Sequence, residues 1–171
     1  RSVAFADFNG DELVDMAIGA RLADPGFNDA GHVQIHLGQP DGRFGEAPSQ
    51  IVTGVRGGDH LGFAVAACDF NGDGRMDIAA SALLYEDSGN RPQSNNQGGI
   101  FIFLGYEDGF LAQPDQIVLG RRLSVNGNWG HYTDLQLGTD LVAGDMNNDG
   151  RCDIAASATR YAIEGEGNVG A

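Results

Sequence analysis

At 171 residues the chain is long enough to bury a sizeable core as one domain, and its 42% apolar content excludes the low-hydrophobicity signature of disorder despite a net charge of −14. With 24 acidic against 10 basic side chains, and Arg121 and Arg122 the only adjacent basic pair, the surface repels phosphate backbones, so no nucleic acid is expected as a partner. No membrane span is expected in this segment, because no stretch approaches the roughly 18 consecutive apolar residues a span needs, and the first residues lack a basic flank followed by an apolar run.

The first predicted strand ends at Ala6 and runs into an acidic segment, DFNGDELVD (residues 7–15), which MAIGA leaves as a second strand. HVQIHL (residues 32–37) places Val33, Ile35 and Leu37 on one face and His32, Gln34 and His36 on the other, the alternation of a half-buried strand. At Asp41-Gly42 a hairpin needs positive φ, which Gly supplies without steric cost, and QIV (residues 50–52) carries the fourth strand. The set then recurs. LGFAVAACD leads into DFNGDGRMD (residues 69–77), and IAASA leads out. IFIFL (residues 100–104), apolar throughout, suits a strand covered on both faces, and it is followed by an Asp108-Gly109 turn and a second QIV (residues 116–118). LGTDLVAGD then enters DMNNDGRCD (residues 145–153), again followed by IAASA. The acidic segments begin 62 and 76 residues apart, and the LG turn and QIV landmarks recur at offsets of 67 and 66. An internal repeat of short strands is the reading.

Four antiparallel strands per repeat describe a β-propeller blade, whose faces only neighbouring blades can cover. The expected fold is therefore all-β. A partial blade spans 1–54, a complete blade 55–120 and a partial blade 121–171, each with one acidic loop. Rings hold 4 to 8 blades, and even six at this spacing need on the order of 400 residues. The remaining blades are expected from the rest of a longer chain, or from another copy or a partner.

In the second acidic loop Asp69, Asn71, Asp73, Arg75 and Asp77 fall at positions 1, 3, 5, 7 and 9. Alternate residues of a tight loop can turn oxygens inward, position 7 through its backbone carbonyl. About six oxygens, with no nitrogen or sulfur, suit a hard divalent cation. Calcium fits best: magnesium prefers a stricter octahedron and keeps its waters, and zinc wants Cys or His. Three carboxylates in one turn oppose one another, and a divalent ion reverses that repulsion. Gly74 and Gly150 at position 6 allow the sharp bend; Glu12 stands there in the first loop, which is expected to bind more weakly or to bend differently. A single D-x-N-x-D segment could be a plain Asx-turn. Three in register with a strand framework argue for a shared site.

The LGFAVAACDFNGDGRMDIAASA block, the Gly-rich approaches AGHVQIHLG and QGGIFIFLG, and the Asp-Gly turn after each resemble the FG-GAP repeats of integrin-α-type β-propellers, over essentially the whole chain. The resemblance implies a seven-bladed ring with up to three calcium ions in the hairpins between first and second strands. The ligands it implies are Asp7, Asn9, Asp11, the Leu13 carbonyl and Asp15; Asp69, Asn71, Asp73, the Arg75 carbonyl and Asp77; and Asp145, Asn147, Asp149, the Arg151 carbonyl and Asp153. It also implies that a protein or glycan partner binds the face opposite the calcium loops. The sequence departs from the pattern in its third copy, where LGTDL replaces Phe-Gly followed by small residues.

Extracellular modules of this chemistry bind calcium near 10⁻⁴ M, so about 1 mM calcium contributes roughly 1.4 kcal/mol per site, and cytosolic calcium almost nothing. That favours an exported, extracellular or cell-surface, non-catalytic adhesion or recognition module. The runner-up is a non-catalytic propeller appended to a secreted hydrolase or lyase whose catalytic residues lie elsewhere. His32 and His36 stand about 13 Å apart along a strand, too far to share a metal, and no nucleophile triad, phosphate loop or zinc signature emerges. The insertion at 121–134 holds Trp129 and Tyr132, candidate anchors for the partner, with packing within their own loop as the alternative. Cys68 and Cys152 fall at different places in the repeat and read as two small buried apolar residues, with a bridge between them the alternative.

Overall fold

A computed structural model of the protein describes residues 2–24, 26, 28–86, 96–120 and 135–159, with the backbone of 162–163 and 167–168. Its strands, in chain order, are β1 (Val3–Ala6), β2 (Asp15–Ala20), β3 (His32–His36), β4 (Gln50–Thr53), β5 (Leu61–Cys68), β6 (Asp77–Ala82), β7 (Gly99–Phe103), β8 (Gly105–Tyr106), β9 (Gly109–Phe110), β10 (Gln116–Leu119), β11 (Leu137–Gly144), β12 (Asp153–Ala158), β13 (Ala162–Ile163) and β14 (Gly167–Asn168). No helix occurs among the described residues. The first sheet is ordered β1-β2-β3-β4 and the second β10-β7-β6-β5, all neighbours antiparallel, and β11-β12 begins a third in the same register. These are propeller blades. The unit over residues 1–54 contains all four strands, although β1 has four residues where β5 and β11 have eight.

Register makes the repeat exact in space. Ala6 pairs with Asp15, Cys68 with Asp77 and Gly144 with Asp153, so each acidic loop closes on the same rung. β5 and β11 both shift register, between Leu61 and Val65 and between Leu137 and Leu141. At that irregularity Gly62 (φ +86) brings its backbone against β2 and β3 of the preceding blade: an added Cβ would lie 2.5 Å from the His32 carbonyl of β3 and 2.9 Å from the Gly19 Cα of β2. Only a residue without a Cβ, at ease at positive φ, fits there.

The period-2 alternation of strands distributes the core between two junctions. On the second blade Val65, Ile78, Ala80, Ala82, Phe101 and Phe103 pack against Ala17, Val33, Ile35 and Val52 of the first. The opposite face carries Ala64, Ala66, Ala79, Ile100 and Ile102, which meet Leu141 and its neighbours on the third. Strand β7 is therefore buried along its whole length, as its uninterrupted apolar sequence predicts. The turns at Gly42 (φ +78) and Gly109 (φ +103) take the positive φ expected of them.

His36 is buried rather than open, because the chain after β3 folds over it and the Gly45 carbonyl meets its Nδ1 at 2.8 Å. Gln34 links the two imidazoles, its Nε2 2.9 Å from His32 Nε2 and its Oε1 3.4 Å from His36 Nε2.

Candidate metal centres

Each acidic loop is held by its own side chains accepting backbone N–H groups. In the second loop Asp69 accepts from Gly72 (2.7 Å) and Asp73 (3.2 Å) on one oxygen and from Gly74 (2.8 Å) on the other. Asn71 Oδ1 accepts from the Asp73 N–H at 2.8 Å, Asp73 Oδ1 from Arg75 at 2.9 Å, and Asn71 Nδ2 donates to Asp73 Oδ2 at 3.0 Å. The first loop repeats this with Asp7 accepting from Gly10, Asp11 and Glu12, Asn9 from Asp11, and Asp11 from Leu13. In the third, Asp145 accepts from Asp149 and Gly150, Asn147 from Asp149, and Asp149 from Arg151.

Glu12 does not make the first loop bend differently. Its φ of +67 lies in the same left-handed region as Gly74 and Gly150, both +87, and its N–H makes the equivalent bond. The hydrogen bonds to Asp7 offset a conformation that costs an L-residue roughly 1–2 kcal/mol.

Position 9 has a further task. Asp15 and Asp77 are fully buried, and each ties two distant backbone groups together: Asp15 accepts from Phe8 (2.8 Å) and Gly38 (2.7 Å), Asp77 from Phe70 and Gly105 (both 2.8 Å). Asp153 is partly exposed and accepts from Met146 at 3.0 Å. Asp15 and Asp77 thereby clamp their loops to the end of the third strand of the blade. Nothing in the loop sequence signals it, since Gly38 and Gly105 lie 23 and 28 residues away. Burial pushes the Asp77 carboxyl up, the Gly105 and Phe70 N–H groups pull it back, and the charges of Asp69 and Asp73 raise it further. Asp73, by contrast, is held low by the Arg75 N–H and the Asn71 amide.

Among the described residues no group of three or more His, Cys, Asp or Glu side chains stands at metal-holding distance, because the carboxylates turn to the backbone N–H groups. The donor set nonetheless fits a hard divalent cation in kind. It is all oxygen and acceptor-rich, each ionised carboxylate has about four lone-pair sites of which N–H groups take one to three, and the mutual repulsion felt at Asp77 is what a cation would relieve.

Cys68 and Cys152 are not two separate buried thiols. They form a disulfide, with Cα atoms 6.0 Å apart, that joins the second blade to the third. Their unequal positions in the repeat obscured the pairing, yet a bridge between successive repeats requires that offset: the residue before one loop meets the eighth residue of the next. The Cys152 N–H also donates to the Asp69 carbonyl at 2.9 Å.

The other chemically capable side chains serve the strands. Ser81 and Ser157 accept the N–H groups of Ala64 (2.9 Å) and Asp140 (3.0 Å), left unpaired at the shared register shift. Their repetition in IAAS was a legible signal. Burial lowers the His32 pKa, and its Nδ1 is buried without a hydrogen-bond partner. Trp129, Tyr132 and His131 lie outside the described residues.

Comparison with known families is decided by the loop-and-strand unit just described. An FG-GAP-like repeat matches residues 7–80 and an FG-GAP repeat residues 61–103. The chain belongs to the FG-GAP repeat family, in its integrin-α type. Integrin alpha-PS2 of Drosophila melanogaster is 28% identical to this FG-GAP chain over 169 residues, 98% of the chain and 11% of the relative. Integrin alpha-8 of Gallus gallus is 30% identical over 168 residues, 98% of the chain and 14% of the relative. A phosphatidylinositol-glycan-specific phospholipase D of Rattus norvegicus is 33% identical over 93 residues, 53% of the chain and 11% of the relative. The FG-GAP chain thus spans a small part of the length of the relatives it matches.

Proposed function

We propose that this chain is a non-catalytic, calcium-stabilised recognition module of an exported protein, acting in adhesion or in binding a protein or glycan. The observation that carries the reading is the repetition of one hydrogen-bonded acidic loop at the same rung of three successive blades. Evolution of a plain turn does not require three carboxylates each time; a cation does. In this reading the ligands are Asp7, Asn9, Asp11, Leu13 O and Asp15 and their equivalents in the other two loops, and the ion supplies charge neutralisation that locks the loop. The disulfide supports an oxidising compartment. Exposed Val3, Phe5 and Ile51 on the outer face of the first blade, and Val142 on that of the third, suit covering by further blades. No helix among the described residues is long and apolar enough to cross a membrane.

With calcium at about 1 mM, three sites of roughly 10⁻⁴ M affinity together contribute about 4 kcal/mol. The melting temperature should then fall by about 10 °C in excess EDTA, and magnesium at equal concentration should restore little of it. Identical melting curves with calcium and with EDTA would overturn the reading.

The likeness to phosphatidylinositol-glycan-specific phospholipase D favours a second reading, a propeller appended to an enzyme. Sequence flanking this segment distinguishes the two: a catalytic motif beyond either end supports the appended propeller, further blades and a stalk the recognition module.

A further inference from the structure

We propose that the Cys68–Cys152 bridge makes the second and third acidic loops a single coupled unit, so that a cation taken up by one raises the affinity of the other. The inference rests on the reading that these loops hold calcium. Three attachments join them. The bridge places Cys68, which immediately precedes Asp69, beside Cys152, which stands between Arg151 and Asp153, at a Cα separation of 6.0 Å. The Cys152 N–H is bonded to the carbonyl of Asp69 at 2.9 Å. The Arg151 side chain lies over Gly72, where an added Cβ would come within 3.1 Å of Nε and 3.2 Å of Cγ. The first carboxylate of one loop and the last two ligands of the other are therefore moved together.

The first loop has none of this. In the repeat register Ala6 and Met76 occupy the places of Cys68 and Cys152, and the space at Gly10, the equivalent of Gly72, is open. It serves as an internal control.

Shared ordering gives the sign of the coupling. The bridge holds the two loop bases at a Cα separation of 6.0 Å, and the repulsion between cations bound in the two loops is screened by physiological salt over roughly 8 Å. Ordering one base also orders the other, so its residual mobility need not be lost a second time. This saving outweighs the screened repulsion between the two ions and makes the coupling positive, and Cys68 and Cys152 act as positioning residues for ligands they do not themselves contribute.

The test is a calcium titration of the full chain followed by hydrogen exchange and mass spectrometry, with peptides covering 7–15, 69–77 and 145–153 read separately. In the bridged protein Asp149→Asn, which weakens the third loop, should raise the calcium midpoint of the second about five-fold or more and leave the first unmoved. With Cys68→Ser and Cys152→Ser present, the same substitution should shift the second loop by less than about two-fold. A second-loop midpoint indifferent to Asp149→Asn, or equally sensitive with and without the bridge, overturns the coupling. Should the bridge-free variant not fold, reciprocity decides within the bridged protein: Asp73→Asn must shift the third loop in the same direction and by a comparable factor, and a third loop that does not respond refutes the proposal. Calcium protection that develops independently in each loop removes the coupling alone. No protection at any loop removes the calcium reading with it.

Discussion

Between the first and second blades the interface is filled by Phe101 and Phe103, both fully buried, against Val33, Ile35 and Val52, with Phe8 and Phe110 edge to face at 5.7 Å. Between the second and third, among the described residues, the buried set is smaller, Ala64, Ala66 and Ala79 with Ile100, Ile102 and Leu141, and Phe63, Phe70, Leu104, Leu137 and Ile154 pack against it only partly covered. Full burial of a Phe contributes about 2–3 kcal/mol, whereas an Ala offers little more than one methyl group. The second junction has a covalent brace at the place where the first has Ala6 and Met76 packed against its core. Neighbouring repeats of one pattern therefore reach cohesion differently, one by apolar volume and the other by a bridge beside the acidic loops.

Breaking the brace should have the largest effect. Closing a loop of 84 residues restricts the unfolded chain by about 4–5 kcal/mol in the chain-entropy account, with measured values commonly lower. Reduction with a phosphine, or Cys68→Ala with Cys152→Ala, should therefore destabilise the protein by about 2–4 kcal/mol in urea denaturation. Hydrogen exchange should rise first over 137–158, where the less fully buried junction is left on its own, while β2 and β3 remain protected. Equal loosening at both junctions would show that the packing difference does not matter.

The ninth-position aspartates sharpen the comparison at a smaller scale. Asp77 is fully buried and satisfies two N–H groups, whereas Asp153 is partly exposed and satisfies that of Met146. Measured in EDTA, so that no ion contributes, Asp77→Ala should cost about 3 kcal/mol and Asp153→Ala about 1 kcal/mol, since a buried donor left without its acceptor loses roughly 1–3 kcal/mol. Equal losses would indicate that burial does not set the strength of this clamp. Asp15, as buried as Asp77, is expected to follow it.

The parts of this organisation that were legible in the sequence are those set by neighbours along the chain. The uninterrupted apolar run IFIFL marked β7 as covered on both faces, and the D-x-N-x-D spacing marked the three loops, because strand period and Asx hydrogen bonding are local. What was not legible depended on contacts across large sequence distances. Cys152 meets Cys68 only because loop three docks on the base of loop two. Asp77 is a clamp only because the end of β7 returns to it. His36 is buried only because a later segment folds across its strand. The repeated Ser of IAAS was available, but its role follows from a register shift that no local pattern encodes.

At the end of the first junction away from the acidic loops, cohesion depends on a buried carboxylate, which yields the smallest effect. Asp59, almost fully covered, accepts the Arg56 N–H at 2.8 Å, and its own carbonyl accepts from Leu84, while His60 beside it donates its N–H to the Asp29 carbonyl of the first blade. Burial pushes the Asp59 carboxyl up to about 6, against the pull of the Arg56 N–H and guanidinium, with Glu86 adding to the rise. Because the folded pKa lies above the unfolded value of 3.8, the folded state holds a proton through a window in which the unfolded state has lost it. Stability from this group is thus fully present below about pH 4 and is lost as pH rises through about 6. Asp59→Asn keeps an acceptor for Arg56 without the charge, so it should be more stable than the parent by about 1 kcal/mol at pH 7.5, with the difference vanishing near pH 4. Asp73 titrates in the opposite sense and Asp77 in the same one, and for that reason the readout is the difference between the two proteins at each pH. A difference that persists at pH 4 would mean that shape, not charge, governs this end of the junction.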